Sequence, residues 1–512
     1  MELAVYVFNL LVNWVNNGVD NAQGYRASIL KEFQPDVRYI FIELPGKREI
    51  ELYKKVGIDI EQMLSMHQYF TNNHALKVSV SVNDKLQELK KGLQYTSLEY
   101  RDGEIRLIKE GSVVASILLE KNNNACFYRI YYFEHGKLFR EENYTDGISY
   151  VNHYVTANSY NGPYAKLVRR TFCNVDGTAV YDQMFEGNKE WYIFLDGRVY
   201  TTTELIAEFI KKLNLTEQDT VLLDRSAQFD FVQPLFRFGK EARIIAVMHS
   251  GHYFDKNEDP DNIYLNREYN YWFKYSNLID TMVVSTEEQK EELIKRLYAY
   301  HCCIPDVRVI PAGGIEYLRY PDGKRKSCSL IAVSRIHPRK KIEWIIKSVI
   351  NAYHKNPNIS LDIYGGINDD SYFQDLQNIV KVNHAQSYIR FMGYMNVSEI
   401  YKNYEVFITA SLWETLGLSM LEAIGSGTAV IGLDVKYGNR LFVHSEENGY
   451  LVDFDLNYVS QSDRELINNM AEKIIEIFAD EERLQEFHEN SYKIGQAFLN
   501  ENNSKRWKEL LG

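Results

Sequence analysis

The chain has 512 residues, 45% hydrophobic and 25% charged, long enough for roughly two to four domains with sizeable cores. Its net charge of -12 argues against nucleic acid or an anionic membrane as the main partner. The five cysteines are odd in number and lack metal-ligand spacing, which reads as reduced thiols in a cytosolic protein, and no apolar run approaches the roughly 18 residues of a membrane helix. The start, MELAVYVFNLLVNW, lacks the basic region and cleavage site of a secretion signal.

In chain order, Leu3 to Leu11 reads as a buried strand, followed by a Gly-bearing loop from Asn16 to Arg26 and then a helix-like segment. Strand, glycine loop and helix make a phosphate-binding turn plausible, although the full G-x-G-x-x-G pattern is absent and Gly18 is equally a simple turn residue. Val37 to Leu44 reads as a second strand, and Glu49 to Phe70 as helical with a turn near Ile58 and Ile60. From about Ala75 to Thr201 the pattern changes to short alternating runs such as VSVSV, SVVASILLE and CFYRIYYF. Asp102-Gly103, Glu110-Gly111, His135-Gly136, Asp146-Gly147, Asp176-Gly177, Gly187-Asn188 and Asp196-Gly197 punctuate them. Such dipeptides tolerate positive φ, so an antiparallel meander is expected, its many Tyr and Phe serving core packing before ligand stacking.

An α/β rhythm returns at Thr202, with strands at Thr220 to Leu223, Ala242 to Met248, Thr281 to Val284 and Val307 to Ile310. Tyr320 to Lys326 is a polar linker. A second α/β region follows, with strands at Ser329–Val333, Ser360–Tyr364, Ile389–Met392, Val406–Thr409, Ala429–Gly432 and Gly449–Val452, then helix to Leu511. The basic loop SRIHPRKK follows the first of these strands. Its Arg335 offers a fork and its Lys340 a point charge to phosphate oxygens; a plain basic surface loop is the alternative. SLWETLGLSMLEAIGSG, from Ser411 to Gly427, follows the fourth strand. Glu414 falls in its strand-to-helix turn and Glu422 about two helical turns on. Gly417 lets backbone approach a ligand, and the helix start offers free N–H groups to a phosphate. Two carboxylates there suit the hydroxyls of a nucleotide sugar; acidic residues favoured by the helix dipole are the alternative.

The two glutamates, with seven residues between them in ETLGLSMLEAIGSG, together with Arg335 and Lys340, resemble the signature of retaining glycosyltransferases of family 4. The resemblance implies a GT-B fold of class α/β, two Rossmann-like domains with the β-meander inserted in the first. Residues 1–45 with 202–315 would form the first Rossmann-like domain and 46–201 the inserted sheet, which binds acceptor or partner. Residues 316–490 would form the nucleotide-sugar domain, and 491–512 a helix crossing back. It further implies that Arg335 and Lys340 contact the diphosphate, that Glu414 binds hexose hydroxyls with backbone groups of Thr415, Leu416 and Gly417, and that Glu422 holds the ribose. Tyr394 and Met395, after the third strand, would meet the uracil. Gly18, Val19, Asp20 and Asn21 would lie under the donor. His249, at a strand end in HSGH, would meet the hexose near its reacting carbon, with His252 as rival. A metal would call for an Asp-x-Asp cluster in a loop; Asp362 falls in a strand and Asp369-Asp370 has no evident third ligand, so no metal or other cofactor is expected beyond the UDP-sugar substrate.

The inserted meander and the start VNNGVDNAQGYRASILKEF are similar to the GtfA-subunit branch, which primes serine-rich-repeat adhesins of the accessory secretion system. That branch implies transfer of N-acetylglucosamine, or glucose, to Ser/Thr hydroxyls, with a homologous non-catalytic GtfB-like partner subunit. It implies a cytoplasmic protein, peripheral at the inner face of the membrane through that complex. Enzymes that glycosylate teichoic acids share the arrangement and are one alternative; a non-catalytic acceptor-binding subunit is the other, disfavoured by the presence of Arg335, Lys340, Glu414 and Glu422.

Overall fold

The computed structural model describes residues 4–9, 18–34, 36–73, 78–121, 123–160, 162–224, 229–253, 265–454 and 463–512. The chain divides into two compact units, Met1–Val15 with Asp36–Ile244, and Asn16–Pro35 with Ile245–Gly512.

The first unit contains parallel strands in the order Thr220–Leu223, Val5–Asn9, Val37–Phe41, Met63–Ser65. Their apolar residues, Val7, Phe8, Ile40, Phe41, Val221 and Leu222 among them, are buried, as expected of strands covered on both faces. The stretch from Glu49 to Phe70 departs from the helix-turn-helix expectation. A helix spans Lys47–Lys55, and Met63–Ser65 then joins the sheet by pairing with Tyr39 to Phe41 before the short helix Met66–Tyr69. Tertiary pairing overrides a locally helical composition there.

The meander is present as a ten-stranded antiparallel sheet from Ser97 to Thr201, each strand paired with its neighbour in sequence. It begins later than expected. VSVSV does not form its first strand: Ser81 caps the helix Val82–Leu93, its hydroxyl accepting from the Asp84 N–H. Val82 and Leu89 of that helix pack with Leu107, Ile117, Phe127 and Ile130 and so cover one face of the sheet. Tyr132 and Tyr144 join this core, while Tyr160 and Tyr164 stay exposed. Near the last strands, His67 stacks on Phe172 at 4.5 Å and hydrogen-bonds the Tyr181 hydroxyl at 2.8 Å.

In the second unit, Arg243–Val247, where the division falls, precedes Thr281–Val284 and Asp306–Val309, paired in parallel in that order. A six-stranded parallel sheet has the order Ile389–Gly393, Ser360–Tyr364, Lys326–Val333, Tyr404–Ile408, Ala429–Leu433, Gly449–Val452. All six strands lie where the apolar runs place them. One face packs Trp344, Ile345 and Val349 with Leu466, Met470 and Ile474 of the helix Asp463–Ala479. The other packs Met420, Leu421 and Ile424 of the helix Leu418–Gly425 against Ile331, Phe407 and Val430. The last helix, Asn500–Leu511, lies against the helix Gly18–Leu30: the Arg26 guanidinium sits 5.4 Å from the Trp507 ring centroid, and Ser504 Oγ donates to Glu32 at 3.2 Å.

Candidate functional site

The order of the six-stranded sheet reverses between Lys326–Val333 and Tyr404–Ile408: later strands are laid outward on one side, and the chain then returns to build the other. In open α/β sheets a ligand crevice opens beyond the carboxyl ends of the strands at such a point. Both loops leaving it carry residues singled out from the sequence. Beyond Val333 runs Ser334 to Lys341, through the short 3-10 turn Pro338–Lys340. Beyond Ile408 runs the loop to Gly417.

These loops meet through charge. Lys340 Nζ lies 2.5 Å from Glu414 Oε1 and donates to Ser411 Oγ at 3.0 Å. Arg335 is exposed, and among the described residues its guanidinium has no partner. One cation is therefore neutralised and the other open to an anion. The loop is fixed on its far side, where the Glu414 carbonyl accepts from the Tyr437 and Gly438 N–H groups at 2.9 and 2.8 Å. Gly438 is required there, since an added Cβ would stand 2.0 Å from the Leu416 carbonyl oxygen. Gly417 has φ 83°, the left-handed region that glycine tolerates, and caps the helix Leu418–Gly425 without a capping side chain. Unused N–H groups of that helix start, with the dipole behind them, suit an anion beside Thr415 and Leu416.

Glu422, inside this helix, accepts a hydrogen bond from the Tyr25 hydroxyl at 3.1 Å. Burial raises its pKa above the ordinary carboxylate value, against the hydroxyls of Tyr25 and Tyr401 and the charge of Arg319. Burial and this carboxylate also raise the pKa of Tyr25, so the phenol keeps its proton and donates.

His249 and His252 separate cleanly. His252 is fully buried, and burial pushes its pKa down to about 4, so it is a neutral ring inside the packing with Tyr253 and Phe273. His249 is only partly buried and lines a small cleft with Tyr25, Arg26, Pro311, Gly313 and Trp507. Its backbone N–H donates to the Tyr269 hydroxyl at 3.2 Å.

Gly18, Val19, Asp20 and Asn21 do not form the expected loop. They are the first turn of the helix Gly18–Leu30, while Asn16 and Asn17 lie outside the described residues. Ala22, Gln23, Arg26, Ala27 and Leu30 give that segment a buried helical face, which outweighs its two glycines. Tyr394 and Met395 follow the edge strand Ile389–Gly393 and are exposed. Their loop is tied sideways to the basic loop: the Gly365 N–H donates to the Gly393 carbonyl at 2.9 Å, and the Ile336 N–H to Gly366 at 2.8 Å.

Sequence reasoning missed Ser411, Tyr25 and Tyr401. Ser411 directly precedes the Glu414 turn and was within reach of a local argument; the two tyrosines carry no signal among 38 tyrosines. Among the described residues no group of three or more His, Cys, Asp or Glu stands together as a metal cage, and no helix is long and apolar enough to cross a membrane.

The family described as glycosyl transferases group 1 matches residues 323–494, and the GtfA extended beta-sheet domain matches residues 99–196. The chain is 33% identical over 516 aligned residues, covering 99% of each protein, to the UDP-N-acetylglucosamine–peptide N-acetylglucosaminyltransferase GtfA subunit of Streptococcus pneumoniae serotype 4. It is similar to the crystal structure of the pneumococcal O-GlcNAc transferase GtfA in complex with UDP and GlcNAc, with a TM-score of 0.87 at 31% identity, covering 100% of this chain and 98% of that one. A crystal structure of a GtfA/B complex gives a TM-score of 0.88 at 30% identity, with 99% of both chains covered.

Proposed function

This chain belongs to the GtfA-subunit family of group 1 glycosyl transferases, with the GT-B fold, and we propose on that footing that it moves N-acetylglucosamine from UDP-GlcNAc to Ser/Thr hydroxyls of a serine-rich-repeat adhesin. The step is the first in protein O-glycosylation. An acceptor oxygen bonds to the anomeric carbon as the bond to UDP breaks, and the hydroxyl proton passes to the departing diphosphate. The new bond forms on the face that the old one leaves, retaining configuration.

The observation that carries this reading is the meeting of Lys340 and Glu414 across the two loops at the reversal of strand order, with Arg335 exposed on the same basic loop as Lys340. Negative charge grows on the diphosphate in the transition state, and preorganised cations in a closed cleft stabilise it far better than water does. Arg335 and Lys340 supply that charge. Donor binding then exchanges partners: Lys340 turns from Glu414 to phosphate, and Glu414 is freed for hexose hydroxyls. The N–H groups at Thr415, Leu416 and Gly417 support the diphosphate and hexose, and Glu422 holds the ribose. Tyr394 and Met395 edge the uracil. His249 meets the hexose, and the first turn Gly18 to Asn21 lies beside the donor. No divalent ion is assigned to the step.

A GtfB-like subunit is the proposed partner, supported by the likeness to a GtfA/B complex, and the ten-stranded sheet is the proposed surface for partner and acceptor. Membrane association arises through that complex.

The test is mass spectrometry of a Ser/Thr-rich acceptor incubated with the full chain, its partner subunit and either UDP-GlcNAc or UDP-glucose, with and without EDTA. A mass increment of one N-acetylhexosamine, insensitive to EDTA, is expected. No transfer from either donor overturns the reading, and transfer of glucose alone moves the donor assignment.

A further inference from the structure

Resting on the donor-site reading above, we propose that Tyr25 is a positioning residue for donor binding: its hydroxyl, donating to Glu422 Oε1 at 3.1 Å, orients the carboxylate that grips the ribose. A carboxylate holds two ribose hydroxyls only while it is ionised and turned toward them, because both hydroxyls donate. Burial opposes the ionised state of Glu422. The groups facing it are Tyr25 from the helix Gly18–Leu30, Tyr401 from the 3-10 turn Tyr401–Asn403, and Arg319 from the segment before the six-stranded sheet. All three favour the charged form, and Tyr25 does so through a direct hydrogen bond.

Tyr25 is also held still. Its ring lies beside Gly313, whose carbonyl accepts from the Asn503 side chain at 2.8 Å. Its neighbour Arg26 sits over the Trp507 ring. The bond to Glu422 is thus made by a preorganised donor, and little entropy is lost in keeping it. Tyr25 acts on ribose binding, remote from the breaking bond. Such uniform binding changes KM and leaves kcat in place.

The experiment is calorimetric titration of the full chain with UDP between pH 5 and 8, for wild type, Tyr25→Phe, Glu422→Ala and the double variant, with KM and kcat for UDP-GlcNAc alongside. Tyr25→Phe keeps the ring and its packing, which thermal melting verifies. It is expected to weaken UDP binding about tenfold, the scale of one hydrogen bond to a charged group, and to raise KM likewise with kcat within about twofold. Its acid-side loss of affinity moves to higher pH than in wild type. In the Glu422→Ala background, Tyr25→Phe changes nothing further. Wild-type UDP affinity in Tyr25→Phe, with Glu422→Ala weakened, overturns the role of Tyr25 and leaves the donor site standing. Additive losses in the double variant also overturn it. Wild-type affinity in Glu422→Ala overturns the donor-site reading itself.

Discussion

Glu414→Gln separates two roles that the unliganded chain fuses. The substitution keeps shape and removes the anion that Lys340 neutralises. The pair is close, 2.5 Å, with 22% of the lysine and 18% of the glutamate side chain exposed. Exposed pairs are worth about 0.2–1 kcal/mol, whereas breaking a buried pair costs about 3–5 kcal/mol. Discounted for its solvent access, this pair ties up roughly 1–2 kcal/mol. On the proposed exchange of partners, part of that is given up as Lys340 turns to a diphosphate. Relieving Lys340 of its partner should therefore tighten UDP binding, by up to about tenfold. Transfer moves the other way. An amide is a poorer acceptor for the hexose hydroxyls, and about a hundredfold loss in kcat/KM is expected, the size seen when one preorganised polar group is removed. Calorimetry with UDP and UDP release with a Ser-rich peptide, partner subunit present, read the two effects on one preparation. UDP affinity lowered more than about tenfold in a folded variant would refute the exchange of partners, and so would undiminished transfer.

Arg335→Ala should leave the melting temperature within about 1 °C, since the guanidinium is exposed and unpaired among the described residues, yet cut transfer by about 10² to 10³; a large melting shift would mean that the arginine is structural. Gly438→Ala drives a Cβ to 2.0 Å from the Leu416 carbonyl oxygen and should cost about 1–3 kcal/mol in a denaturant melt, with loss of transfer through the displaced Glu414 turn. Unchanged stability would count against that close approach. His67 is a neutral buried ring, its pKa lowered to about 3 by burial and then by Arg170. A depressed folded-state pKa gives stability that is complete above the unfolded value near 6.5 and is lost as pH falls toward 3. That ring alone then costs about 1.4 kcal/mol per pH unit across the window. His67→Phe, which keeps a ring against Phe172, should flatten the acid slope of urea melts; an unaltered slope would place the proton elsewhere.

The strands of the six-stranded sheet were legible because each is a continuous apolar, β-branched run, and the meander because glycine turns separate its strands. Cap chemistry and pairing decided where reading failed. Ser81 turns VSVSV into the approach to a helix, and Met63 to Ser65 becomes a strand only because Tyr39 to Phe41 is there to pair with it. In the site, Arg335, Lys340 and Glu414 were each visible from residue type and local position. That Lys340 grips Glu414, 74 positions away, was not. Strand position favours His249 over His252; that His252 is buried and His249 only partly so belongs to the folded chain.

The contact between Tyr25 and Glu422 spans 397 positions, and that between Glu32 and Ser504 spans 472. Closing loops of such length costs more chain entropy than forming local contacts. The proposed donor surface therefore joins parts of the chain that are far apart in sequence, and it is complete only in the folded state. On the proposed function, UDP-GlcNAc binds that folded state and stabilises it by mass action.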